Sequence, residues 1–596
     1  MMLTEVCVSD LNLLRYYARL TPLGVGDEIK TTLSELADRL FTSTRHARNL
    51  LVKLHQVGWL SWTPKPGRHH RSSLVLNFEL IALKEELAAK RVRIGKYEKA
   101  LAILDNDDIA FAKLLKRTSG ARMQEGRLHI QLTYKRMFEP LLPHLPQRSS
   151  ERFLIRQIYC CLVSVDTHGQ IQPELAHHWH YDAQLLQWTF HLRPGLTFHN
   201  GAAIDAASIV SLFAKLSRLP SHQQELAHVV DIKAPTPFKV VFSLDRPDLG
   251  FAGLITGVKY AIQPVSQLNN VAGLRERRIP VVGSGAFEVT EHNENKLCLK
   301  AFNQFYACRA LTEKVTIWRV DEERLSATLI ETNHPESPPT PCSFNVTKNA
   351  KQRQPNDSEQ QHSRVEDGCL MLLFNLRAPL PLDYAQRHYL MQMLNPSAIE
   401  EEIRRHGNMF GVVHAANLLP HWRAVLKTPA NIVPLPRRIT LAVYNYTALN
   451  ICANAIARLL AKIGIEVVIR CYTYQELHQR SLDQQWDEDL VLTSLNLDDN
   501  RHPSAFAMLF SNPILHACMT ESDKAWLLNQ LTLLREQVPL HEYLQQLEPI
   551  ASLLISECWL TPLFHHRQTL RFHGVLHDVA LTNWGWPDIR NVWSAD

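Results

Sequence analysis

Arg45, Arg48 and Asn49 lie close together in the chain. Their side chains are of the types that read guanine and adenine edges through paired hydrogen bonds. Ser43 and Thr44 stand just before them. A second polar cluster, Lys65, Arg68, His69, His70 and Arg71, is interleaved with Pro64, Pro66 and Gly67. Cations on such a turn can meet phosphates or enter a minor groove. From Phe41 to Phe78 there are six Lys or Arg and no Asp or Glu. The net charge of +5 over 596 residues is too small to identify a nucleic-acid partner, so the local clustering carries the argument.

The apolar spacing predicts the elements that present these residues. Leu11, Leu13, Leu14 and Leu20 give one helical face between Asp10 and Thr21. Leu33, Leu36, Ala37 and Leu40 give a clearer one over Thr31 to Leu40, and Thr32 with Glu35 reads as a capping box. After a short break at Phe41-Thr42-Ser43, Ala47, Leu50, Leu51 and Leu54 repeat the spacing and leave Thr44, Arg45, Arg48 and Asn49 on the opposite face. Gly58 suits the helix end. Trp59 to Trp62 alternates like a strand, Leu74 to Leu76 returns as another, and Thr63 to Arg71 is the loop between them. This order describes a winged helix-turn-helix over residues 1–78, with double-stranded promoter or operator DNA as the expected partner. The other reading of the same elements is a winged helix used as a protein-interaction scaffold. Salt-sensitive DNA affinity separates the two.

Residues 79–126 read as a charged helical connector, with Leu80, Leu83, Leu87 and Ala88 suitably spaced for a dimer-forming helix or for linker packing. From residue 127 the pattern mixes strands and helices. His129 to Leu132 opens with a strand. Trp188, Phe190 and Leu192 alternate with Thr189, His191 and Arg193. Arg193-Pro194-Gly195 is a turn, Leu196-Thr197-Phe198 is expected to return as a hairpin partner, and Ala203 to Leu216 is a helix. Residues 331–367, with Pro335, Pro338, Pro339 and Pro341 and then a polar run, have the composition of a flexible insertion.

The string Phe190-His191-Leu192-Arg193-Pro194-Gly195-Leu196-Thr197-Phe198-His199-Asn200-Gly201 resembles the family 5 extracellular solute-binding proteins, which bind oligopeptides, nickel and some sugars. Gly283-Ser284-Gly285-Ala286-Phe287, Thr440 to Tyr444, Leu460 to Val467 and Leu560 to Phe564 extend the resemblance over roughly residues 127 to 594. Together with the N-terminal module, and with Ser43 to Arg48, Gly58 to Trp62, Leu175 to Trp179 and Trp584-Gly585-Trp586, the chain resembles the SgrR family of transcriptional regulators. The resemblance implies a multidomain fold, an α+β winged helix-turn-helix followed by a two-lobed α/β periplasmic-binding-protein-like clamshell over 127–596. It also implies a cytoplasmic activator that responds to sugar-phosphate stress through a small-molecule effector such as a sugar phosphate. Trp188, Phe198, His199 and Asn200, near the shared string, are the ligand candidates. The wing has fewer Gly and Lys than the family's usual one, and Thr44 stands where Arg is common, which puts the operator sequence in question.

Other classes are disfavoured. The 11 cysteines are an odd number without CxxC spacing, which suits reduced thiols better than a disulfide framework. Met1 to Leu20 carries Glu5, Asp10, Arg15 and Arg19 and does not read as a signal peptide, which argues against an exported binding protein of an oligopeptide or sugar uptake system. No apolar run is long enough for a membrane span. There is no HExxH, P-loop, GxSxG or helix-opening GxGxxG, so neither enzyme nor cofactor is expected. The 29 histidines include the groups His177, His178, His180 and His565, His566. Neighbouring histidines in one strand more often point apart than converge, so no metal site is expected.

Overall fold

The computed structural model describes residues 9–65, 71–269, 281–320, 359–407, 411–573 and 576–594. The chain divides into two compact units, the first formed mainly by residues up to Gly120 and the second beginning at Ala121.

The first unit starts with α1 (Ser9–Leu20), β1 (Ile29–Thr31), α2 (Leu33–Leu40) and α3 (Thr44–Gln56). β2 (Leu60–Thr63) and β3 (Ser72–Leu76) follow, and the sheet order is β1-β3-β2. The capping box forms as expected: Glu35 N–H donates to Thr32 Oγ1 at 3.2 Å, and Thr32 N–H donates to Glu35 Oε2 at 3.1 Å. Gly58, at φ 79°, ends α3 in the left-handed region where a side chain is strained. Three more helices, α4 (Leu80–Arg93), α5 (Tyr97–Ile103) and α6 (Asp108–Arg117), correct the connector reading. Their Leu83, Leu87, Val92, Ile103, Leu114 and Leu115 share one core with Leu14, Tyr17, Leu36, Leu51 and Leu74. The apolar faces of residues 79–117 are therefore spent on the winged helix itself.

The second unit holds two hydrophobic cores, which define two lobes. It begins earlier than expected, because β4 (Gly120–Gln124) joins β5 (Arg127–Tyr134) in a sheet ordered β12-β13-β14-β5-β4, with β12 at Phe287–His292, β13 at Lys296–Ala301 and β14 at Thr312–Arg319. β6 (Val163–Val165) and β7 (Ile171–Pro173) pair with each other, and a further sheet of the first lobe runs β10-β11-β9-β8, with β8 at Ala176–Asp182, β9 at Gln187–Leu192, β10 at Val229–Thr236 and β11 at Lys239–Leu244. β9 pairs with β8 and β11, so Leu196-Thr197-Phe198 is not its hairpin partner. Thr197 forms an isolated bridge with Ala203 instead, because Leu196 and Phe198 are needed in the core.

The second lobe is built on a seven-stranded sheet. β15 (Glu359–Val365), β16 (Gly368–Phe374), β17 (Val412–His414), β18 (Arg438–Tyr444), β19 (Glu466–Tyr472), β20 (Leu490–Asn496) and β21 (Leu560–His573) contribute to it. β18 runs parallel to β19 and β20, and the helix Thr447–Ala461 makes the crossover between β18 and β19. The end of the expected insertion is corrected: 359–365 pair along β21, because a strand edge there satisfies their backbone, and Asp367 is buried. Residues 331–358 lie outside the described residues. β21 passes between the lobes, with Phe564 in one core and Leu570 in the other.

Candidate nucleic-acid interface and interlobe site

α3 is amphipathic in the way the sequence predicts. Ala47, Leu50, Leu51 and Leu54 are buried, while Thr44, Arg45, Arg48, Asn49, Val52 and Lys53 are exposed along the other face. Ser43 caps the helix, its Oγ accepting from His46 N–H at 3.3 Å. There is no acidic residue in the first turn. Neither Arg45 nor Arg48 is engaged in an ion pair or hydrogen bond among the described residues. A guanidinium left free on an open helix face keeps its fork of donors available. The far end of α3 is tied to the first wing strand, where Trp62 N–H donates to His55 Nδ1 at 3.3 Å.

The wing is only partly described. Lys65 is exposed, and its N–H donates to Ser72 Oγ at 3.1 Å. Arg71 is exposed and lies 3.8 Å from Glu35, so the capping carboxylate of α2 also steadies the wing's returning strand. Arg68, His69 and His70 lie outside the described residues.

Phe41, within the Phe41-Thr42-Ser43 break, occupies the turn between α2 and α3. It is 81% exposed and has φ 52°. The Arg19 guanidinium lies 5.1 Å from its ring centre and donates to Leu40 O at 2.6 Å. A large aromatic in a tight turn was the available signal.

In the second unit, the four ligand candidates hold the fold. Trp188 is buried and its indole N–H donates to Asp248 O at 2.9 Å. Phe198 is in the core. His199 accepts Gly283 N–H on Nδ1 at 3.2 Å, bonds Gly285 O through Nε2 at 3.0 Å and packs on Phe302. Asn200 caps its own turn, accepting Ala202 N–H at 3.1 Å. A small pocket near this region is lined by Leu175, Leu196, Thr197, Ser284, Phe302, Gln304, Phe305 and Tyr306, and none of the four candidates lines it.

The lobes face each other across a different set. Arg148 is flanked by Tyr444 and Tyr474, with ring centres 5.3 and 5.6 Å away. It donates to Asn445 O at 3.1 Å, while its buried Nε has no partner. Arg152 reaches Asp498 at 3.1 Å, and its Nε is likewise buried and unpartnered. Both arginines lie on or beside α7 (Ser149–Ile158) of the first lobe, whereas the tyrosines and Asp498 belong to the second. Nearby, Glu366 accepts from Gln568 Nε2 at 2.9 Å and from Asn496 Nδ2 at 3.3 Å. Burial pushes its carboxyl up to about 8. Sequence alone could not find this set, because its members come from segments far apart in the chain.

The described cysteines are free thiols, and burial pushes Cys161 up to about 12, which keeps it protonated and unreactive. No helix among the described residues is long and apolar enough to cross a membrane.

Comparison with known proteins agrees with both units. Residues 12–126 match the family described as Sugar transport-related sRNA regulator N-term, and residues 170–398 match Bacterial extracellular solute-binding proteins, family 5 Middle. The HTH-type transcriptional regulator SgrR of Yersinia enterocolitica is 28% identical, covering 98% of this chain and 99% of its own. That of Photorhabdus laumondii is 28% identical over 97% of each. Among solved structures, the oligopeptide-binding protein AppA of Bacillus subtilis superposes with a TM-score of 0.60 at 16% identity, over 79% of this chain and all of AppA. NikA of Brucella suis gives 0.58 at 17% identity, over 78% of this chain and 99% of NikA. A winged helix-turn-helix on the same chain as a two-lobed solute-binding fold defines a transcriptional regulator with a built-in solute-binding-type domain. The chain carries the N-terminal domain of the sugar transport-related regulators and, over nearly its whole length, is similar to HTH-type transcriptional regulators named SgrR.

Proposed function

We propose that α3 enters the major groove of promoter DNA, with Arg45, Arg48 and Asn49 on base edges and Lys65 and Arg71 on phosphates, and that a small polar effector between the lobes controls this binding. The observation that carries the reading is the outer face of α3, where unpaired Arg45 and Arg48 stand beside Asn49 over a fully buried inner face. Phe41 and Thr44 extend that surface at its N-terminal end.

The effector site is the interlobe set around Arg148. A guanidinium walled by two tyrosine rings, with a buried donor unspent, suits an anionic polar molecule such as a sugar phosphate. Such a molecule shifts the DNA-competent population only as far as it prefers one lobe arrangement over the other. The family resemblance favours activation of the target promoter and a cytoplasmic location.

The test is binding of the purified full chain to its own upstream DNA and to random DNA at two salt concentrations, with and without glucose 6-phosphate. Selective, salt-sensitive binding that changes with the sugar phosphate supports the reading. Absence of DNA binding overturns it in favour of a protein-interaction scaffold.

A further inference from the structure

We propose that His178, His180 and His191 form a binding site for one borderline divalent cation, Zn²⁺, Cu²⁺ or Ni²⁺, on the open face of the β10-β11-β9-β8 sheet.

The placement follows from strand geometry. Side chains on a strand alternate between its faces. In β9, Trp188, Phe190 and Leu192 are buried in the lobe core, so His191 points to the other face. β8 is the outermost strand of this sheet, and His178 and His180 are exposed two residues apart on it. The register sets His178 directly opposite His191 and His180 opposite Thr189. An i, i+2 pair on one strand with a third imidazole across the ladder thus falls on one face. The register shift between Ala176 and His178 leaves His177 as the extra residue, and its ring also lies 6.3 Å from His191.

The ring centres of His178 and His180 are each 5.8 Å from His191 and 6.3 Å from each other. Imidazole nitrogens about 2.1 Å from a tetrahedral ion put ring centres about 5 Å apart. As they stand, no three His, Cys, Asp or Glu side chains of the described residues are set to hold a metal ion. Closing to that spacing moves each ring centre inward by roughly half an ångström, and each imidazole must also turn so that one nitrogen faces the common centre, a change within reach of side-chain torsion. They are free to do so, because none of the three is held by a hydrogen bond or ion pair among the described residues. The donor set has imidazoles and no carboxylate, which suits Zn²⁺, Cu²⁺ and Ni²⁺ and not Mg²⁺ or Ca²⁺. Lys239 stands opposite His191 on β11.

The experiment is calorimetric titration of Zn²⁺ into the tag-free full chain at pH 7.5, repeated with Mg²⁺. It is run on the original protein, on His178→Asn/His180→Asn, on His191→Asn, and on His168→Asn as an exposed histidine outside the group. The expected result is one Zn²⁺ per chain in the original protein and in His168→Asn, roughly tenfold or weaker affinity in the other two variants, and no heat with Mg²⁺. The double variant changes only exposed side chains, and its thermal melt without metal checks that the sheet is intact. Failure of the original protein to bind Zn²⁺, or equal binding in the double variant, overturns the proposal.

Discussion

Asp367 and Asn583 grip each other across the place where the chain passes between the lobes. Asp367 N–H donates to Asn583 Oδ1 at 2.8 Å, and Asn583 Nδ2 donates back to Asp367 O at 3.2 Å. The same amide donates to Leu497 O at 2.6 Å and to Asn496 Oδ1 at 2.7 Å, and Asn583 is fully buried. One side chain therefore joins the β15–β16 corner, the end of β20 and the C-terminal turn. Asn583→Ala leaves several buried polar groups unpaired and should cost about 2–4 kcal/mol. Urea unfolding of the two proteins measures it. A loss under about half a kcal/mol would mean that the junction relaxes without its amide.

Glu366, the neighbour of Asp367, gives the protein a pH dependence of definite sign. Its carboxyl is raised to about 8, burial being the main cause, with Asp367 adding to it and Gln568 and Arg364 opposing. In the unfolded chain it ionises near 4.3. Below that pH it is protonated in both states and makes no difference. As pH rises from about 4.3 toward about 8, the unfolded state alone ionises, and stability falls by up to about 1.4 kcal/mol per unit. Glu366→Gln removes this fall. The variant should gain on the original protein steadily between pH 5 and pH 8 in denaturant midpoints, and parallel profiles would contradict the assignment.

Gly285 is required by crowding. A Cβ there would sit 2.6 Å from Ile158 C, 2.7 Å from Tyr159 N and 2.8 Å from Gln157 O, all backbone atoms at the end of α7. Between it and Gly283, Ser284 Oγ accepts Cys160 N–H at 3.0 Å and donates to Ile262 O at 2.8 Å. Gly285→Ala should destabilise the lobe by more than about 3 kcal/mol, and Ser284→Ala by about 1–3 kcal/mol. Thermal melts of both variants would rank them, and the reverse order would refute the crowding account.

On α3, Arg48→Ala should weaken operator binding by about 1–3 kcal/mol and relax specificity at one base pair, leaving random DNA nearly unaffected. Lys65→Ala should weaken every sequence alike and lower the salt slope by about 1. Electrophoretic or fluorescence titrations at two salt concentrations separate the two behaviours.

The winged helix was largely legible because its signals are local. Thr32 and Glu35 lie one turn apart, and Ala47, Leu50, Leu51 and Leu54 carry their own period. β1 escaped notice because three residues are too few to show alternation, and only its pairing with β3 defines it. The helices from 79 to 117 were legible as helices, but their destination in the same core was not, since periodicity tells which face is buried and not against what. The interlobe set was illegible for the same reason: Arg148 meets Tyr444 and Tyr474 only through the fold. Trp188 and His199 stand out by their neighbourhood in sequence, whereas the fold satisfies their polar atoms with Asp248, Gly283 and Gly285. The spacing within β8 relates His178 only to His180, and the ring that faces them comes from β9, which only the register reveals.

β21 is a single uninterrupted strand from Leu560 to His573, pairing first with β16, then with β17 and then with β15. Its near end is embedded in one lobe and Leu570 in the other. The two cores therefore share one backbone, and a lesion that unpairs this strand is felt in both lobes at once rather than in one.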